Sequence, residues 1–168
     1  MTTHAIDVTT PDDLEIRVTR VFDAPRSLIF ACHTQPELVR RWLLGPPGWS
    51  MPVCEIDLRV GGAFRIVWRG PGGIEMGMGG VYREIAPPMR LVHTELFDVD
   101  WTGGETLVTT VLAERDGGGT SVTVTVLYAS REARDAALRT GMERGMAASY
   151  DRLAEMLLAS VGPTGPGS

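Results

Sequence analysis

The chain has no lysine: all 16 of its basic residues are arginine. Schiff-base chemistry on a lysine amine is therefore excluded. Cysteine is nearly absent too. Cys32 and Cys54 stand far apart with no CxxC spacing, so two reduced, buried thiols are expected rather than a disulfide framework or a zinc site. No apolar run approaches the roughly 20 residues of a membrane helix, and Met1 to Asp13 lacks the basic start and apolar stretch of a secretory leader. A membrane partner is not expected, and a cytoplasmic location is. Excess positive charge is also missing. The formal net charge is −5, which disfavours a phosphate backbone as partner.

What remains is a globular balance. The 168 residues are 43% hydrophobic and 22% charged, enough to bury one core. Flexible ends are expected over residues 1–13 and 161–168, with one domain over 14–160.

Alternating apolar residues predict a first strand over Leu14 to Phe22. Asp23-Ala24-Pro25 opens a helix to Thr34, and Pro36 to Leu44 forms a second short helix, stopped by Gly45-Pro46-Pro47-Gly48. Six further strands are expected: Met51–Arg59, Ala63–Arg69, Ile74–Ile85, Met89–Phe97, Glu105–Glu114 and Thr120–Tyr128. Gly77, Gly79 and Gly80 mark a bend or bulge in the third of these. From Ser130, a natural N-cap, the period changes to about 3.6. Leu138, Met142, Met146, Ser149, Leu153, Met156 and Leu157 form one stripe of a helix of about 30 residues, to Ala159 or Ser160. Short turns imply antiparallel pairing, and a helix that long must bury its stripe on the sheet. The class is α+β.

The succession of FDAPRSLIF (Phe22 to Phe30), ELVRRWLLGPPGW (Glu37 to Trp49), VCEIDLRVGGAFRIVWRGPGG (Val53 to Gly73) and GGVYREIAPPMRLVHT (Gly79 to Thr94) resembles the START-like, or SRPBCC, superfamily. GGGTSVTVTVLY (Gly117 to Tyr128) and EARDAALRTGMERGMAASYDRLAEML (Glu132 to Leu157) complete the pattern. Within that superfamily it is similar to bacterial homologues of the Aha-type activator of the heat-shock-protein-ninety ATPase. The resemblance implies a helix-grip fold, a seven-stranded curved antiparallel sheet around the last helix, with a cavity between them. It carries no shared catalytic motif, and fold alone does not fix function.

Trp42, Trp49, Phe64, Trp68, Met76, Met78, Phe97, Met142 and Met146 are candidates to line that cavity; each taken singly also fits plain core packing. His93 and Glu95 share one strand face with Leu91 and Phe97, so two ionisable groups would point inward, where relatives tend to carry aromatics. Burial and pairing would shift both toward ligand binding or proton transfer; a register slip would turn both to solvent. His4 and His33 join no ligand-like cluster, so no metal or other cofactor is expected. Gly141 and Gly145 form a GxxxG in the long helix, read as close packing or as room for a ligand.

Three functions follow as expectations. The first is binding of a small hydrophobic or aromatic molecule by a monomer or homodimer. The second is an enzyme or self-resistance protein using His93 and Glu95 in acid–base chemistry on a bound metabolite. The third is a chaperone-associated stress protein. The family's full co-chaperone has a further N-terminal domain, for which a first strand at Leu14 leaves no room, so a chaperone partner is not expected.

Overall fold

The computed structural model describes residues 4–161. Its β-branched alternation becomes a single eight-stranded sheet: β1 (Asp7–Thr9), β2 (Glu15–Phe22), β3 (Ser50–Ile56), β4 (Ala63–Arg69), β5 (Glu75–Ala86), β6 (Arg90–Phe97), β7 (Thr106–Glu114) and β8 (Thr120–Leu127). The order across the sheet is β1-β2-β8-β7-β6-β5-β4-β3. Every neighbouring pair is antiparallel. Helices α1 (Arg26–Thr34) and α2 (Pro36–Trp42) follow β2, and α3 (Arg131–Arg139) and α4 (Met142–Val161) close the chain. This is the expected α+β helix grip.

Three details differ from expectation. The sheet has eight strands, not seven. The extra strand lies in the segment expected to be flexible, where Asp7, Val8 and Thr9 pair with Thr19, Val18 and Arg17. That segment is too short and polar to announce itself, but β2 offers an open edge that its backbone satisfies.

The bulge in β5 falls after the glycines, between Tyr82 and Glu84. Gly80 answers a different need. A Cβ there would overlap the Thr94 carbonyl and the Phe64 ring, so the glycine lets β5 and β6 lie flush behind that ring.

The last helix is two helices. Ser130 Oγ accepts from the Ala133 N–H and caps α3, as its position implied. Then Thr140 turns back on Ala137 O, and Gly141 takes φ +80°. That left-handed residue ends a helix cheaply only when it lacks a Cβ. Gly141 is thus a break, not an interior helix position. The expected tail lies outside the described residues except at Val161, which ends α4.

Tyr150 docks α4. Its ring meets Phe22 of β2 edge-on at 5.6 Å and stacks on Trp42 of α2 at 5.8 Å. Arg20 of β2 adds a 2.7 Å bond to Asp151. Leu153 and Leu157 then enter a solid cluster with Ile16, Ile29, Leu112 and Val122, all at most 2% exposed. Cys32 and Cys54 are buried and unbridged, and burial pushes both thiols up. No helix among the described residues is long and apolar enough to cross a membrane.

Candidate functional site

Strand alternation sends every second side chain inward, so the inner face can be read off in steps of two. Phe64, Ile66 and Trp68 come from β4, Leu91, His93, Glu95 and Phe97 from β6, Thr106, Val108 and Thr110 from β7, and Val124 and Val126 from β8. Met76, Met78 and Tyr82 come from β5. Opposite them, Met142, Gly145, Met146, Ser149 and Tyr150 form the first two turns of the α4 stripe. These faces do not meet. Between them lies a cavity of about 430 Å³, the size of a small-ligand site.

The segment after α2 covers one side of the cavity. Both backbone groups of Gly45 are tied to α4: its N–H donates to Ser149 Oγ at 2.8 Å, and its carbonyl accepts from Arg152 Nη1 at 2.7 Å. Trp49 lies against Gly70, where any Cβ would strike the indole. Trp42 and Trp68 are fixed by donating their indole N–H groups to Cys32 O and Leu43 O.

All eleven residues singled out in the sequence line this one cavity: Trp42, Trp49, Phe64, Trp68, Met76, Met78, His93, Glu95, Phe97, Met142 and Met146. Trp42, Phe64, Trp68 and Met78 are also buried members of the core, so core and cavity wall are one set of residues here. Met76 is 37% exposed and marks the open side.

The register turns His93 and Glu95 inward. The His93 ring packs edge-on against Phe64 at 5.1 Å and Tyr82 at 5.9 Å. Its Nδ1 lies 3.2 Å from Thr94 O. A carbonyl can only accept, so Nδ1 carries the proton and Nε2 keeps its lone pair. Glu95 Oε2 approaches Nδ1 to 3.8 Å, too far for a hydrogen bond. Nor is this an ion pair near neutrality. Burial lowers the His93 pKa below its ordinary value and pushes Glu95 up to about 7. His93 is then neutral and Glu95 about half protonated at pH 7.

Four polar groups were not legible as site residues. His33 lines the cavity although its place near a helix end carried no such signal. Its Nδ1 donates to Ile29 O at 2.8 Å, and its buried Nε2 has no partner among the described residues. Burial lowers its pKa as well. Trp101 lies in the loop after β6, packed on Phe97 at 5.0 Å, with a buried and unpartnered indole N–H. Tyr82 and Tyr128 add hydroxyls whose pKa values burial raises to about 12. A single inward aromatic in the sequence gives no hint whether its polar end meets protein or empty space. Among the described residues no three His, Cys, Asp or Glu side chains gather as a metal site requires.

The fold has counterparts. A protein from Rhodobacter sphaeroides is 38% identical over 92% of this chain and 99% of its own, with a TM-score of 0.87. One from Chromobacterium violaceum is 28% identical over 85% and 96%, at 0.73. The AHSA1 protein of Silicibacter pomeroyi, 22% identical over 87% and 99%, at 0.71, shares the fold. No curated protein matches the chain. Residues 23–158 match the family model described as Activator of Hsp90 ATPase homolog 1-like protein. The chain belongs to that family, a branch of the START-like helix-grip domains.

Proposed function

We propose that the protein binds a small, largely apolar or aromatic molecule in the cavity between the sheet and the first half of α4. The observation that carries this is a cavity of about 430 Å³ whose wall is aromatic and Met-rich but includes a partly buried carboxyl and two histidines. Packed interiors hold few voids larger than a water molecule, and keeping one costs stability. A bound ligand restores the missing contacts. Four methionines in the wall suit an occupant of variable shape. The two unbridged thiols fit a reducing compartment.

The test is direct. Ligands retained by the purified protein are identified by native mass spectrometry, and binding is followed by fluorescence of Trp49, Trp68 and Trp101, which all touch the cavity. Filling the space with Met146→Trp should abolish retention and the fluorescence change while the fold persists. Retention unchanged in that variant removes the reading.

A second reading, acid–base chemistry on the bound molecule, is favoured by Glu95. A carboxyl held at about pKa 7 beside a neutral imidazole is poised to give and take a proton near neutrality. On that reading Glu95→Gln binds the ligand but leaves it unchanged. A ligand recovered unaltered from the native protein decides for binding alone.

A further inference from the structure

The 16 arginines of the chain are distributed in a way that bears on the ligand. None of them lines the cavity among the described residues, and with no lysine in the sequence no permanent cation faces the ligand. Among the described residues, the only carboxyl in the wall is that of Glu95. It keeps a quarter of its side-chain surface free and is bonded to no cation.

The groups packed around Glu95 leave its charge uncompensated. His93 lies on its own strand at 3.8 Å. Thr106 of β7 stands opposite it in register. Tyr128 follows β8, and the Glu95 charge is felt at its hydroxyl. Among the described residues, His33 of α1, Tyr82 of β5 and Tyr150 of α4 complete the titratable groups of the cavity. Both histidines spend their Nδ1 protons on backbone carbonyls, Ile29 O and Thr94 O, so each Nε2 is an acceptor. The tyrosines stay neutral, since burial raises all three. Beside these acceptors stand aromatic faces: Phe97 packs on Trp101 at 5.0 Å and on Trp68 at 6.3 Å.

A carboxylate, imidazole lone pairs and aromatic faces are complementary to a cation with N–H donors, and they repel an anion. We propose that the occupant of the cavity is an organic amine in its ammonium form, its nitrogen at Glu95 and its apolar body among Phe97, Trp101, Met142 and Met146. This rests on the reading of the cavity as a small-molecule site and names the charge class of its ligand. It excludes fatty acids and other carboxylates as the preferred occupant. Trp101 Nε1–H, a neutral donor, adds room for one oxygen on the same ligand.

The test is calorimetric titration of the native chain with three probes of one shape: tryptamine, indole-3-ethanol and indole-3-acetate. Tryptamine should bind at least about tenfold tighter than the alcohol at pH 7.5, and the acid weakest, because only the amine forms a charge-assisted bond with Glu95. Binding an ammonium favours ionised Glu95, so tryptamine should release protons at pH 7. These appear as a heat that varies with the buffer's ionisation enthalpy; the alcohol should show none. His33 and His93, both lowered by burial, stay neutral over pH 7–8 and do not contribute. In Glu95→Gln the amine's advantage over the alcohol and its proton release should both vanish. An alcohol as tight as the amine, a tighter acid, or an amine advantage that survives in Glu95→Gln overturns the inference and leaves the cavity reading standing. No binding by any of the three at millimolar concentration brings down the cavity reading itself, and the inference with it.

Discussion

The two ends of helix α4 carry the same stripe and do opposite things with it. Leu153 and Leu157, at 0% and 2% exposure, are locked among α1, β2, β7 and β8. Two turns earlier Met142, Gly145 and Met146 occupy equivalent positions and face open space. Helical period alone does not distinguish them. The difference lies in what stands opposite: branched Ile16, Ile29 and Val122 close the space at one end, while at the other the wall recedes behind the Trp42 and Trp68 indoles, each tethered to a backbone carbonyl. One helix thus serves as a structural pin at its C-terminal half and as the lid of a cavity at its N-terminal half.

The largest expected effect breaks the packed end. Leu153→Ala should cost about 2–5 kcal/mol in urea unfolding, the range for emptying a filled core site. Met146→Ala should cost less than about 1 kcal/mol, because its neighbours already border a void. Equal losses would mean that the two ends are packed alike.

The next effect concerns pH. The folded pKa of Glu95 is about 7, against an ordinary value of 4.5. The folded state therefore holds this proton more tightly than the unfolded state does. The stabilising contribution is complete below about pH 4.5, declines as pH rises, and is gone above about pH 7, a swing on the order of 3 kcal/mol. Other groups titrate over this window, so the measurement is the difference between native protein and Glu95→Gln. The variant should gain stability relative to the native chain from pH 5 to 8. A constant difference would show that Glu95 does not feel its burial.

How much of this was legible beforehand follows the same division. The two strands that alternate Val or Leu with Thr, β7 and β8, declared their inward face, whereas in β6 the turn of His93 and Glu95 stayed open between cavity and solvent until pairing with β5 and β7 fixed its register. What could not be read depends on contacts distant in sequence. Residues 7–9 become a strand only because β2 presents an edge. His33 joins the site only because α1 packs on α2, its ring meeting Trp42 edge-on at 4.9 Å, and Trp101 because its loop folds back on Phe97. The helix break at Thr140-Gly141 was hidden for another reason. Gly141 and Gly145 look alike in sequence, and the backbone angle that separates them is set by tertiary docking of α3 and α4.

That pair supplies the finest probe of the comparison. At Gly145 a new Cβ would meet only Pro46 Cδ at 3.8 Å and Gly45 Cα at 3.9 Å, ordinary contact distances, and the site borders the cavity. Gly145→Leu also replaces a poor helix former with a good one, a gain of up to about 1 kcal/mol. The new side chain enters the space that the ligand would use. The melting temperature should hold or rise slightly while ligand uptake is lost. At Gly141 a Cβ meets nothing within 4 Å, so overpacking is not the issue, but φ is +80°. Gly141→Leu should lose about 1–2 kcal/mol to left-handed backbone strain alone, with the cavity still able to bind. Thermal melts of the two variants, each paired with a binding titration, should therefore dissociate. One keeps stability and loses binding; the other loses stability and keeps binding. If Gly145→Leu were the more damaging to stability, the first turns of α4 would have to be packed as tightly as Leu153, and the contrast between the two ends of the helix would fail.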